Sequence, residues 1–175
     1  MRVLSHDHLC LTMAFDHGYK HIPVLVEEVV QCLRPQSDGV YVDATLGEGG
    51  HAEALLRASV PSGRLIGIDR DAEVLGVARQ RLAPFGSRVN MVHGHAAELR
   101  SILDTFHVPQ VNGVLLDLGV SSYQLETAER GFSFAREGPL DMRMDRTAEQ
   151  TAARLINTLG ESELVNLIQR YGEER

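Results

Sequence analysis

The chain has 175 residues, 43% of them hydrophobic, and a formal net charge of −7 at pH 7. These values are typical of one globular domain or part of one, and the acidic balance argues against charge-driven coating of nucleic acid, though not against a local basic groove. No apolar run reaches the roughly 18 residues that a membrane span needs. Cys10 and Cys32 lack the spacing of metal ligands, so we expect free thiols, no metal and a cytoplasmic protein without a membrane partner.

The N-terminal residues show no pattern that predicts a helix or a strand. Residues 1–18 contain His and Asp in place of the basic segment that opens a signal peptide, and we expect them to form a flexible leader. The folded part opens near Pro23, which suits the first turn of a helix. Apolar residues at roughly helical spacing continue from there to Leu33.

From Gly39 onwards, strand and helix patterns alternate with short loops between them. Apolar and β-branched runs predict four strands, at Val40–Val42, Arg64–Asp69, Arg88–His93 and Val111–Asp117. Good helix formers predict helices at His51–Ala58, Asp71–Leu82, Ala96–Phe106, Thr147–Leu159 and Glu161–Tyr171. This order predicts an α/β fold, a doubly wound parallel sheet with helices on both faces.

A glycine-rich turn joins the first predicted strand to its helix. Asp43 closes the strand, and Gly47, Gly49 and Gly50 follow before His51. Glycines let the backbone turn sharply and approach a ligand, and a helix N-terminus offers free N–H groups to a polar or anionic group. The turn therefore predicts contact with a nucleotide-like cofactor, although a glycine cluster alone is also found in ordinary strand-to-helix turns.

Three of the four predicted strands end in an aspartate, at Asp43, Asp69 and Asp117. In doubly wound folds, ligands bind outside the C-terminal ends of the strands. One strand-end aspartate can simply cap the next helix, but three together are hard to explain by packing because buried carboxylates without partners carry a desolvation cost. We therefore expect a binding crevice with an acidic rim.

The acidic rim also bears on which cofactor binds. Asp69 ends the second strand about 20 residues beyond the turn, where an acid accepts hydrogen bonds from ribose hydroxyls and repels a 2′-phosphate. NADP is thus disfavoured, which leaves NAD and S-adenosylmethionine. The turn departs from the spaced glycine pattern that cradles a pyrophosphate, since Ala52 stands at its last position. Three carboxylates favour a ligand with a sulfonium and an ammonium, so we expect S-adenosylmethionine.

Residues 119–145 show no sustained period and form a longer segment than most loops of compact domains. Aromatic side chains and arginines are interleaved in and just after this segment, at Tyr123, Arg130, Phe132, Phe134, Arg136, Arg143 and Arg146. That mixture suits base stacking and phosphate contact in RNA. A loop that packs on itself and has a solvated charged rim is the alternative.

Several motifs resemble those of one enzyme family. They are His21–Leu25, Asp43–His51, Ile68–Asp71, Leu115–Ser122, Gln124–Leu125, Arg130–Phe134 and Gly138–Asp145. Over residues 19–175 the chain is similar to the MraW (RsmH) family. The resemblance implies a Rossmann-like, S-adenosylmethionine-dependent methyltransferase that acts on N4 of a cytosine in the decoding centre of 16S ribosomal RNA. Its partner would be the small ribosomal subunit, and a homodimer is left open.

The resemblance also implies roles for the residues that match. The implied cofactor contacts are Gly49, Gly50, His51, Asp69, Asp117 and Gln124, and the strand end and glycine turn described above add Asp43 and Gly47. Among them, His51 acts as a hydrogen-bonding group rather than a base, and Asp69 binds the ribose. Asp117 and Gln124 lie beside the methionine end or the reacting amine. Asp117 is the catalytic candidate, as acceptor of a hydrogen bond from the amine, with positioning of the cofactor as the alternative.

The sequence departs from the family in one cofactor contact. The family usually has a phenylalanine shortly after the third strand, where it packs on adenine. Here His95 and Ala96 occupy that region. Either the His95 ring replaces the missing aromatic contact, or the contact is absent at a cost of about 0.5–1.5 kcal/mol.

The family's chains are also longer than this one. By resemblance, residues 19–146 form the cofactor-binding domain with an incomplete sheet, and residues 147–175 form the start of a helical insert. Two other classes of function stay open from the sequence. One is an NAD-dependent oxidoreductase, and the other is a non-catalytic module that binds S-adenosylmethionine or RNA.

Overall fold

The computed structural model describes residues 23–172, so the predicted leader and Cys10 lie outside the described residues. Four strands are present, namely β1 (Val40–Asp43), β2 (Arg64–Asp69), β3 (Val89–His93) and β4 (Gly113–Leu115). The helices are α1 (Val26–Leu33), α2 (Gly50–Ala58), α3 (Ala72–Leu82), α4 (Leu99–Thr105), α5 (Ser122–Glu126), α6 (Ala152–Thr158) and α7 (Glu161–Gly172). None of these helices is both long enough and apolar enough to cross a membrane.

The four strands form one parallel sheet in the order β3-β2-β1-β4. β1 is central, with Asp43 paired to Gly67 of β2 on one side and to Leu115 of β4 on the other. The chain reverses its direction of strand addition between β3 and β4, and such a switch point opens a crevice at the carboxyl ends of the strands. The predicted doubly wound parallel sheet is confirmed.

Helices cover both faces of the sheet because successive side chains of a strand point to opposite faces. Tyr41 and Leu65 pack with helices α1, α2 and α3 in one buried cluster. Val42 and Ile66, their neighbours along the same strands, pack with α4 in the other. The two clusters hold β1 and β2 rigidly between them, which fixes where the strand ends lie.

Some element boundaries differ from the sequence predictions. α1 begins at Val26 rather than in the turn of Pro23, because Leu25 has a left-handed backbone with φ 55°. β4 is shorter than predicted and ends at Leu115, since the chain leaves the sheet before Asp117. α6 begins only at Ala152, where the Thr151 side chain caps it by accepting from the Arg154 N–H.

The segment predicted to lack regular structure contains helix α5. The Ser121 side chain accepts a hydrogen bond from the Gln124 N–H, and the Gln124 side chain accepts one from the Ser121 N–H. This reciprocal pair is a capping box, whose Ser-x-x-Gln signal is present in the sequence. The helix was missed because it has only five residues, too few to show a hydrophobic period.

Candidate functional site: an acidic crevice at the strand ends

The three predicted aspartates meet at the carboxyl edge of the sheet. Asp43 and Asp69 are the last residues of β1 and β2, and Asp117 lies two residues beyond β4. The charges of Asp69 and Asp117 are both close enough to raise the pKa of Asp43. The structure therefore brings together the acidic rim that the sequence indicated.

Asp43 is the innermost of the three carboxyls, with only 1% of its surface exposed. Burial raises its pKa to about 7, and the neighbouring carboxylates add to the rise, while a hydrogen bond from the Thr45 N–H (3.2 Å) opposes it. A cationic ligand in the crevice would stabilise the ionised form. Asp43 is thus a buried carboxyl group that would lose its proton when a positive charge binds beside it.

Thr45 links two of the acidic strand ends, a role that sequence reasoning missed. Its backbone N–H binds Asp43, and its hydroxyl oxygen accepts a hydrogen bond of 2.7 Å from the Asp117 N–H. The Asp117 side chain itself remains 58% exposed. Thr45 therefore fixes the backbone of Asp117 while leaving its carboxylate accessible.

Asp69 is held by backbone donors on both sides. One carboxylate oxygen accepts from the Gly47 N–H at 2.8 Å, and the other accepts from the Asp71 N–H at 2.9 Å. Burial raises the pKa of Asp69, against the lowering effect of these two bonds. Each oxygen keeps a second lone pair, so the fixed carboxylate can still accept hydrogen bonds from a ligand.

The glycines of the turn serve different purposes. Gly47 and Gly49 have left-handed φ values of 54° and 82°, which a side chain would strain, and Gly49 lies directly before α2. A Cβ on Gly50 would overlap Pro23 Cγ. The predicted sharp turn is present, but Gly50 is required by close packing against Pro23 within the protein, whatever ligand the turn contacts.

His51 lies in the first turn of α2 and is largely buried. Its Nε2 atom is 2.8 Å from the Val24 carbonyl oxygen, and because a carbonyl only accepts, Nε2 carries a hydrogen. Its Nδ1 atom lies 4.0 Å from the nearest Asp117 carboxylate oxygen. Nε2 is thus committed to the backbone, and a hydrogen bond from His51 to the cofactor stays a prediction.

Gln124 is buried, and the protein uses both polar atoms of its side chain. The oxygen caps α5, and the amide nitrogen donates a 2.7 Å hydrogen bond to Asp71. Asp71 in turn caps α3 by accepting from the Glu73 and Val74 N–H groups. Gln124 therefore holds α5 against the start of α3, and direct contact with a cofactor stays a prediction.

Arg130 has a structural role that the sequence did not indicate. Its side chain is 1% exposed and pairs with Asp71 at 2.7 Å and with Glu73 at 3.0 Å. Its other terminal nitrogen donates to the carbonyl oxygens of Arg143 and Met144. The predicted contact of Arg130 with RNA phosphate is therefore wrong, because its buried guanidinium is already paired with groups of the protein.

The other arginines of this segment divide into held and exposed side chains. Arg143 forms a two-pronged pair with Asp141, at 2.7 and 2.8 Å, which lowers the pKa of Asp141 to about 2. Arg146 pairs with Glu73 at 3.1 Å. Arg136 and Phe134 are exposed. Arg130, Arg143 and Arg146 are thus paired within the protein, which favours the alternative that the sequence left open.

His95 lies after β3 and caps a short 3-10 turn. Its Nδ1 atom accepts a hydrogen bond of 2.9 Å from the Ala97 N–H, and its backbone N–H donates to Glu98. The ring is exposed, and Ala96 is half-buried beside it. Nothing within residues 23–172 covers the ring, and its role as a substitute adenine contact stays a prediction.

Fold and crevice together define a class of protein. A doubly wound sheet with a glycine turn and carboxylates at the ends of the first, second and fourth strands suits a nucleoside cofactor that carries positive charge. Comparison with known families is more specific. The chain belongs to the MraW methylase family, which matches residues 18–175. This membership confirms the prediction of S-adenosylmethionine as cofactor.

Curated relatives agree with this assignment. Proteins named ribosomal RNA small subunit methyltransferase H from Geobacter sp. (strain M21) and Thermobifida fusca (strain YX) are 56% and 53% identical over 157 and 158 residues. These alignments cover 90% and 89% of this chain but 50% and 48% of the relatives. The chain therefore spans about half the length of the curated relatives it matches.

A solved structure of an rRNA methylase from Streptococcus thermophilus shares 21% identity with a TM-score of 0.43, and the match covers 53% of each chain. A likeness of this size adds nothing to the assignment.

Proposed function

We propose that this chain is the cofactor-binding part of an S-adenosylmethionine-dependent methyltransferase that acts on the N4 amine of a cytosine in the decoding centre of 16S ribosomal RNA. The enzyme would work in the cytoplasm on the small ribosomal subunit. Family membership and the names of the relatives support methylation of small-subunit rRNA. The assignment of a cytosine as the target base, and of N4 as the methylated atom, rests on the resemblance of the motifs.

The observation that carries the proposal is the contrast between two carboxyls of the crevice. Asp43 is buried and has its pKa raised to about 7. The Asp117 carboxylate is more than half exposed above the same strand ends. The buried Asp43 supports the binding of a cationic cofactor, and the accessible Asp117 supports contact with a second, larger substrate.

The reaction needs no covalent bond between the protein and its substrates. S-adenosylmethionine supplies an electrophilic methyl group on its sulfonium. The N4 amine of cytosine is a weak nucleophile because its lone pair is delocalised into the ring. Asp117 accepts a hydrogen bond from this amine and aligns the nitrogen at about 3–3.5 Å from the methyl carbon, the separation of a near-attack geometry.

The target base must leave its stack to reach the crevice. Three aromatic side chains lie in the segment after β4, at Tyr123, Phe132 and Phe134. Phe134 is fully exposed, so it is the ring most free to stack on an extruded base. Tyr123 is tied closer to the crevice, since its backbone N–H donates to Glu48 of the glycine turn.

The proposal is tested with a chimera that joins residues 19–175 to the remaining half of the Geobacter sp. relative. We expect it to transfer tritiated methyl from S-adenosylmethionine to small ribosomal subunits, with the label on N4 of a cytosine. We expect Asp117→Asn to lower the single-turnover rate by about 100-fold or more, as for loss of a positioned proton acceptor. Asp104→Asn removes the same charge from an exposed site on α4 and serves as control.

Two outcomes would reject these assignments. Unchanged turnover in Asp117→Asn, or a loss that saturating cofactor restores, would make Asp117 a cofactor contact only. Calorimetric binding of NAD in preference to S-adenosylmethionine would reject the methyltransferase and favour an oxidoreductase.

A further inference from the structure

A cleft of about 420 Å³ lies beside the acidic crevice and is not explained by the proposed chemistry. Its walls come from Arg70, directly after β2, and from the segment after α5, and they include Phe132, Met142, Met144, Asp145 and Gln150. None of the crevice carboxyls lines it. Arg70 follows Asp69 in sequence, so the cleft adjoins the Asp69 side of the crevice.

Hydrogen bonds inside the protein fix the walls of this cleft. Buried Arg130 holds the carbonyl oxygens of Arg143 and Met144. Arg143 also donates to the carbonyl oxygens of Arg146 and Ala148, at 3.1 and 2.7 Å. Such a shape exists before any ligand arrives, and a preformed cleft of a few hundred Å³ is what small ligands require.

Within residues 23–172, two polar side chains of the cleft make no hydrogen bond to the protein, those of Arg70 and Gln150. Asp145 has one oxygen bound by the Thr147 N–H and hydroxyl, at 2.9 and 2.7 Å, and its second oxygen is not used by these bonds. The cleft thus offers an amide, a carboxylate acceptor in Asp145, and a cation in Arg70 whose charge acts on Asp145 but whose donors have no hydrogen-bond partner within residues 23–172. The same lining includes one phenyl ring and two thioethers.

This combination matches a nucleotide. A base can stack on Phe132 between the methionines, its exocyclic amino group can donate to Asp145, and its phosphate can meet Arg70. We propose that the cleft binds a second nucleotide of the RNA substrate, one with an exocyclic amino group that is not the reacting base. The assignment rests on the proposed RNA substrate and deepens it.

The test is a titration of the isotope-labelled 175-residue chain with cytidine 5′-monophosphate, followed by NMR. Shifts should centre on the backbone amides of Arg70 and of residues 142–150. Uridine 5′-monophosphate, which has a carbonyl in place of the amino group, should bind several-fold more weakly because that carbonyl cannot donate a hydrogen bond to Asp145. Saturating S-adenosylhomocysteine should leave the shifts in place.

Variants assign the binding to the cleft. Arg70→Gln should raise the apparent Kd for cytidine 5′-monophosphate by about tenfold or more, the size of a lost charge-assisted hydrogen bond. Ala148→Phe should have a similar effect by filling the cleft without a change of charge. Arg136→Gln is the matched control, since it removes the same charge from an exposed arginine outside the cleft and should change Kd less than twofold.

The proposal is overturned by equal losses in Arg70→Gln and Arg136→Gln, by equal binding of the two nucleotides, or by displacement with S-adenosylhomocysteine. The last result would make the cleft part of the cofactor site. If the chimera transfers no methyl group but nucleotide binding still depends on Arg70, the proposed reaction is rejected. The proposed nucleotide site in the cleft is then still supported.

Discussion

At the scale of single residues, Asp43 shows how burial creates a binding property. A carboxyl at a strand end is ordinarily ionised, but here burial and the nearby charges of Asp69 and Asp117 bring its pKa to about 7. The free protein therefore holds this group partly protonated near neutral pH. A ligand with a sulfonium and an ammonium would lower the pKa again, so that cofactor binding and proton release are coupled.

We predict that S-adenosylmethionine binding releases a proton and tightens as pH rises. Below about pH 7 the carboxyl must lose its proton before it can face the cation, so affinity should fall by up to about tenfold per pH unit, and above about pH 8 it should level off. Calorimetry at pH 6.5 in buffers of different ionisation enthalpy measures the protons released. Asp43→Asn should abolish most of the release, and buffer-independent enthalpies in the parent chain would contradict the prediction.

At the scale of elements, one buried ionic cluster ties the segment after β4 to the sheet. Asp71 caps α3 and receives both Gln124 of α5 and Arg130. The same Asp71 backbone N–H fixes Asp69 in the crevice. Asp71 therefore holds both the segment that we propose contacts RNA and the strand end that we propose binds ribose.

We predict that Arg130→Met lowers the free energy of unfolding by about 3–5 kcal/mol, because it leaves Asp71 buried without its cationic partner. Urea denaturation measures this loss. Hydrogen exchange should show faster exchange at the Gly131 and Met142 amides, whose bonds flank the cluster. The control Arg136→Met replaces an exposed arginine and should stay within about 0.5 kcal/mol. Equal stability of the two variants would show that the cluster contributes little.

At the scale of the whole molecule, the described chain leaves apolar side chains uncovered beyond β4. Leu116, Leu118 and Val120 are 53%, 80% and 43% exposed, next to the edge strand of the sheet. The curated relatives contain about as much chain again as is matched here. Exposed apolar surface of this kind favours association with further protein.

We predict that residues 1–175 alone bind S-adenosylmethionine weakly and methylate small subunits at a small fraction of the chimera's rate. The reason is that the chimera adds the half of the relative that this chain does not match. Tritium incorporation under equal concentrations and saturating cofactor compares the two. Equal rates would show that the added half is dispensable for the reaction.

The sequence by itself determined the alternation of elements and the acidic strand ends. Periodicity and β-branching are local properties, so β2 could be predicted to the residue and the helix cap at Asp71 could be recognised. The parallel direction of the strands also follows from the alternation, since parallel strands require helical crossovers. Their order, β3-β2-β1-β4, could not be predicted from it. Asp43, Asp69 and Asp117 could be grouped because strands of one parallel sheet end at the same edge.

Only the tertiary structure decided what each charged or flexible side chain does. Arg130 and Arg136 are both arginines in a segment without a sequence period, so the sequence does not distinguish them. In the structure, Arg130 is buried against Asp71 and Arg136 is exposed. Gly50 fits a ligand-binding turn in sequence, but its lack of a side chain makes room for Pro23. The physical reason is that burial depends on residues distant in sequence. The dielectric environment and the available partners, which set the role of a charge, exist only once those residues have packed together.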